Sequence, residues 1–228
     1  MFERLFINQF SYFTPPADSP TDAPKLDYVD PLFRRRLSQL SRMTIEVVHR
    51  LTADADGKPT SVAQAKIVFA SFRGEIARQV KINRSLVDDY DILPAPFSLS
   101  VFNTPPAAAT IALGIKNGYT AVYPGELRFY DAFVAAAAPV LAGSEARVIF
   151  VYADECIPGE YQSILRADEQ SAAPLAFAAV LSAEKTAAAL PVSQDISTQS
   201  PADFLAYLLA HGTPTESATS GTQAGKRT

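Results

Sequence analysis

A single cysteine, Cys156, is all the chain carries. That excludes an intramolecular disulfide and any metal site built from several cysteines. Histidine is almost as scarce, with only His49 and His211. Neither sign of charge is in strong excess: 20 Lys+Arg stand against 24 Asp+Glu, a formal net charge of −4. No basic stripe advertises a phosphate-backbone partner, so nucleic acid is not expected. No long hydrophobic run is present; the Ala135–Ala138 stretch is broken by Pro139 and Gly143 and is too short to span a bilayer. The N-terminus lacks a basic segment followed by an apolar one, so no signal peptide is read. There is no Gly-x-Ser-x-Gly elbow and no internal repeat. The expectation from these absences is a soluble, cytoplasmic protein.

What is present suffices for a substantial core. The chain has 228 residues, 48% of them hydrophobic, enough for one domain of more than one layer. Residues 1–212 form that domain, and the polar, Gly/Ser/Thr-rich residues 213–228 are expected to be a disordered tail. Leu5–Tyr12 alternates apolar and polar residues and suits a strand. After a Pro-rich loop over Thr14–Lys25, Asp30 caps a helix with Pro31 at its first position, predicted to run to Leu51. Ile67–Phe72 is a continuous apolar run, consistent with a strand buried on both faces. The turn Ser71–Gly74 leads into a helix reaching Val87, Phe97–Asn103 is expected to be extended, and Thr104 opens an Ala-rich helix ending near Gly114. Tyr119–Tyr123 is a short strand, and Pro124 starts a helix ending near Gly143. Arg147–Tyr152 and Leu175–Ser182 are further strands, and Ser200–Asp203 is a capping box opening a last helix over Pro201–His211. Buried strands alternating with helices imply an α/β layered sheet.

The segment Tyr119–Phe133 is the most informative. A strand runs into a helix at the kind of elbow where many enzymes place a nucleophile, yet neither Cys nor Ser stands at the turn.

The run Pro96–Asn103, the Ala-rich helix to Leu113-Gly114, Thr120-Ala121-x-x-x-Gly125, a helix with Gly143, and the strand to Asp154-Glu155 follow a known order. With Arg42 upstream and Ile67–Phe72 followed by Gly74, they resemble the N-terminal half of β-ketoacyl synthases of the thiolase fold. The resemblance covers roughly Pro31–Leu181. Within that family, Arg34–Met43 and Tyr152-Ala153-Asp154-Glu155 are similar to short "β-ketoacyl synthase-like, N-terminal" proteins. These accompany ketosynthases in aryl polyene gene clusters and are often called chain-length factors. The resemblance implies half of a thiolase-like fold, a layered mixed sheet with helices on both sides.

Two departures from the enzymes matter. Their Cys is third in T-A-C-x-x-G; Val122 stands there in this chain, and a Val side chain cannot form a thioester. They also need His or Asn residues from a C-terminal half, and only about 70 residues follow Asp154. The resemblance therefore implies a non-catalytic subunit that pairs with a β-ketoacyl synthase and shapes its acyl tunnel, with acyl carrier protein as a further partner. No cofactor and no metal is expected. Tyr119, Thr120, Ala121 and Tyr123 would pair with the partner. Phe97, Phe102 and Asn103 would line the interface near its tunnel, and Phe129 and Phe133 are further aromatic candidates. The alternatives are a homodimeric carrier-protein-binding scaffold, or an enzyme acting on acyl thioesters without a Cys.

Each candidate has a plainer reading. The aromatics fit an ordinary core. His49 and Cys156 suit surface or inert roles. Asp154 and Glu155, adjacent at a strand end, point to opposite sides and suit structural hydrogen bonding. Glu126 fits the first turn of its helix by dipole alone. Arg34–Arg36 fit either a solvated helix start or contact with an acidic carrier protein.

Overall fold

The computed structural model describes residues 2–125, 128–162 and 173–216. Six strands form one mixed sheet in the order β3-β2-β4-β5-β1-β6. They are β1 (Phe6–Phe13), β2 (Lys66–Ala70), β3 (Tyr119–Val122), β4 (Arg147–Asp154), β5 (Leu175–Ser182) and β6 (Leu190–Pro191). β2 pairs in parallel with both β3 and β4, whereas β5 is antiparallel to β4 and β1. The helices are α1 (Pro31–Arg34), α2 (Gln39–Thr52), α3 (Ile76–Asp88), α4 (Pro94–Ser98), α5 (Thr104–Leu113), α6 (Phe129–Leu141), α7 (Gly159–Gln162) and α8 (Pro201–His211).

The unbroken apolar runs of the central strands are explained by burial on both faces. In β4, Val148, Phe150 and Tyr152 enter one cluster, while Ile149, Val151 and Ala153 enter the other. β5 divides in the same way, Phe177, Ala179 and Leu181 against Ala176, Ala178 and Val180. This is the two-residue period of a strand. α6 and α8 cover the first face with interlocking rings: Phe204 lies 5.3 Å from Phe129 and 5.3 Å from Phe177. α2 and α5 cover the second through Leu40, Met43, Val47, Ala108 and Ala109. The small α5 residues allow close approach, as the Ala-rich sequence suggests.

Several boundaries differ from the sequence reading. The helix expected from Pro31 to Leu51 is broken. α1 ends at Arg34, and Ser38 caps a new helix by accepting a hydrogen bond from the Ser41 N–H. The carbonyls freed at the break are taken by arginines: Arg42 donates to the Arg34 oxygen and Arg78 to the Arg36 oxygen. Phe97 does not lie in an extended segment, because Pro94 starts the short helix α4 and Phe97 falls within it. α6 begins at Phe129, later than the Pro124 start expected; Glu126 lies outside the described residues. β6 was not foreseen, since two residues ending in Pro carry no strand pattern. Of the tail expected to be disordered, residues 217–228 lie outside the described residues. Before them, the Thr215 N–H donates to the Phe10 carbonyl at 2.7 Å, which holds the chain against β1.

Candidate functional site

β3 is an edge strand: β2 covers one side, and no strand among the described residues covers the other. Val122 ends it, half-buried, followed by Tyr123, a buried Pro124 and Gly125 before the chain turns into α6. The strand read from the sequence is therefore present with Val122 at its end, whereas the helix that follows starts at Phe129, seven residues on, and not at Pro124.

Polar and aromatic contacts tie the neighbouring segment to this edge. Asn103 donates from Nδ2 to the Tyr119 hydroxyl at 2.9 Å. The Phe102 ring packs 5.9 Å from Phe69 and edge-on, at 5.7 Å, to Tyr123. Phe102 also lies on Gly74, where an added Cβ would come within 3.0 Å of its ring. Gly74 has φ +57°, so the turn after β2 needs glycine both for its conformation and for the ring above it. Thr120 is exposed and Ala121 half-buried on the strand. Tyr123 remains 62% exposed and Phe97, on α4, 55% exposed. Val87, Tyr90, Leu93, Val101 and Ile111 on α3 to α5 and their connections are exposed as well.

Two of the predicted interface residues are elsewhere. Phe129 and Phe133 are 2% and 0% exposed, inside the ring cluster between α6 and the sheet. Burying these rings is what α6 contributes to the core, and it leaves neither with a surface for a partner.

The carboxylates at the end of β4 form a closed polar clamp. Asp154 Oδ1 accepts from the Ser71 hydroxyl at 2.6 Å and from the Phe72 and Arg73 N–H groups, each at 3.1 Å. Its Oδ2 accepts from the Tyr152 hydroxyl at 2.5 Å. Burial raises the Asp154 pKa, and the nearby Arg73 guanidinium opposes that. Burial likewise raises the Tyr152 hydroxyl well above its ordinary value. Glu155 points to the other side, accepting from Ala77 N–H at the start of α3 and Leu40 N–H at the start of α2. Its pKa is pushed up to about 7, chiefly by burial and in part by Glu75. Glu75, which the sequence reading did not single out, accepts from the hydroxyls of Ser38 and Ser41 and from Arg78. The only sequence signal for it was its place just after the Gly74 turn. These carboxylates spend their lone pairs on backbone, hydroxyl and arginine donors within the fold, which is structural work.

The remaining candidates are equally plain. His49 stacks on Tyr28 at 3.7 Å, and burial lowers its pKa. Burial raises the Cys156 thiol, the direction of an inert cysteine. Among the described residues no group of three His, Cys, Asp or Glu is placed to hold a metal, and no helix is long and apolar enough to cross a membrane. Arg34 is held by Asp27 at 2.8 Å, whereas Arg35 and Arg36 project into solvent.

The profile of the family "Beta-ketoacyl synthase, N-terminal domain" matches residues 12–216, and the chain belongs to that family. No curated protein matches the sequence. A chain of the complex of the ketosynthase ApeO with its chain length factor ApeC, from Xenorhabdus doucetiae, superposes with a TM-score of 0.61 at 24% identity. The match covers 78% of each chain, so the two are of similar length. The ishigamide ketosynthase/chain length factor gives a TM-score of 0.61 at 14% identity, over 82% of this chain and 64% of that one. The AntDE:AntF structure, a type II acyl carrier protein in complex with its ketosynthase, gives 0.56 at 10% identity, over 80% and 64%. The chain thus spans less than two thirds of the length of the latter two. These likenesses establish the fold: a mixed sheet layered between helices, as in a thiolase-like ketosynthase half.

Proposed function

We propose that this chain is a non-catalytic, chain-length-factor-like subunit that pairs with a β-ketoacyl synthase through β3. The observation that carries the reading is the open edge of β3, which ends at Val122 and is followed by the exposed Tyr123, against which Phe102 packs. An unpaired strand edge offers a row of backbone donors and acceptors to a second chain. A valine at the elbow supplies no nucleophile, so the seam serves a partner's chemistry rather than its own. The similar length of the matched chain in the ApeO–ApeC complex supports the same reading. In this arrangement Phe102, packed on Tyr123, and Asn103, bonded to Tyr119, stand next to the seam and, with the exposed Phe97 of α4, help shape the partner's acyl tunnel. The product class carried by the family resemblance is aryl polyene or related type II polyketide chains. Acyl carrier protein would meet the assembled pair rather than this chain by itself.

The test is co-expression with the ketosynthase encoded nearest this gene, followed by size-exclusion chromatography with light scattering. The expected result is a one-to-one complex containing the 24.6 kDa chain. Two separate peaks contradict the proposal. A tight homodimer in place of the complex moves the chain to a self-paired scaffold.

A further inference from the structure

The break between α1 and α2 has a counterpart across a groove. Arg35, Arg36 and Leu37 form one wall; Pro96, Leu99 and Val101, on and after α4, form the other. Ala107, Ala108 and Ile111 of α5 line the same groove, whose volume is about 640 Å³, well inside the range of small-molecule sites. No Asp or Glu lines it.

The charges at its mouth are uneven. Arg34 is bonded to Asp27 and to the Leu26 carbonyl, Arg42 to the Arg34 carbonyl, and Arg78 to Glu75 and the Arg36 carbonyl. The guanidinium groups of Arg35 and Arg36 have no hydrogen-bond or ion-pair partner among the described residues, and both are exposed. The two exposed guanidinium groups stand beside an apolar slot whose lining carries no carboxylate. They match a ligand with an apolar stem and a single anionic head, because a guanidinium fork suits a carboxylate.

We propose that this groove binds a free single-chain fatty carboxylate, its head at Arg35 and Arg36 and its chain between Leu37, Pro96, Leu99 and Ile111. The site does not rest on the partner reading, since every wall belongs to this chain. The probe is dodecanoate below its micellar concentration, titrated calorimetrically into the full-length protein, with dodecanol and dodecyltrimethylammonium as neutral and cationic controls. Saturable one-to-one binding of dodecanoate is expected, at least about tenfold tighter than either control, the scale of a charge-assisted contact. The double variant Arg35→Glu/Arg36→Glu, on exposed positions, should weaken it by about tenfold or more. Ala107→Phe, filling the slot while leaving the arginines in place, should weaken it comparably, with its melting temperature checked against the unsubstituted protein. Absence of saturable binding, or equal binding of all three amphiphiles, overturns the proposal. So does an affinity untouched by the charge reversal, which would hand the arginines to another ligand, an acidic carrier protein first.

Discussion

The two edges of the sheet are treated in opposite ways. The outer side of β1 is used along most of its length. β6 pairs with Phe6 and Ile7, the Thr215 N–H takes the Phe10 carbonyl, and Arg50 takes the Tyr12 carbonyl at 2.8 Å. β6 is blunted in turn by its two-residue length and by Pro191, whose carbonyl accepts the Tyr207 hydroxyl of α8 at 2.8 Å. Short strands, proline and covering elements are how proteins close an edge. At the β3 edge no strand among the described residues pairs with the outer side, although β3 is itself only four residues long and is followed by Pro124; Tyr123 beside it is exposed. A sheet with one sealed edge and one open edge leaves the open side available, and the proposed ketosynthase pairing uses that side.

The largest expected effect lies on the sealed side. Phe204 of α8 is fully buried against Phe129, Phe133 and Phe177. Phe204→Ala should cost about 3–5 kcal/mol of unfolding free energy, measured by urea denaturation. A small loss there would mean that the closed half is not where the stability resides.

The clamp at the end of β4 comes next. Glu155 holds a folded-state pKa of about 7 against an ordinary 4.5. The folded protein therefore binds more protons than the unfolded chain between those values. The stability this provides is fully present below pH 4.5 and is lost as pH rises through about 7. The full span corresponds to about 3 kcal/mol. Glu155→Gln should flatten that slope in unfolding free energy measured from pH 4.5 to 8, and an unchanged slope would show that Glu155 does not carry it.

Two substitutions probe the open edge. The Ile67 N–H donates to the Gly118 carbonyl, and the alternation of a parallel ladder then turns the Ala121 N–H away from β2. Ala121→Pro removes that outward donor and should weaken association with the ketosynthase by at least about tenfold, or 1.4 kcal/mol. Phe97→Ala should weaken it by about 1 kcal/mol while moving the chain's own stability by less than about 0.5 kcal/mol. A Phe97→Ala variant that loses stability as Phe204→Ala does would erase the contrast between the two sides.

Much of this was legible in the residues. The continuous apolar strands, the Ser200 capping box and the short strand ending at Val122 match the sequence, because their signals are local, whereas α6 starts at Phe129 and not at Pro124. The α1–α2 break was hidden, because the apolar spacing from Leu32 to Leu51 continues across it; the Ser38 cap wins over that spacing with help from Arg42 and Arg78. β6 and Glu75 depend on partners far along the chain, which no local pattern announces. For the aromatics, residue type did not distinguish core from surface. Phe133 and Phe97 look alike in sequence, and only the sheet's layering puts one inside and leaves the other out.

The most direct test of the open edge as the partner seam is amide hydrogen exchange over Tyr119–Val122, with and without the ketosynthase. Pairing on the free side predicts strong added protection of the Ala121 amide in the complex, with the β1 and β6 edge unchanged. Protection that appears at the sealed edge, or nowhere on β3, would contradict it.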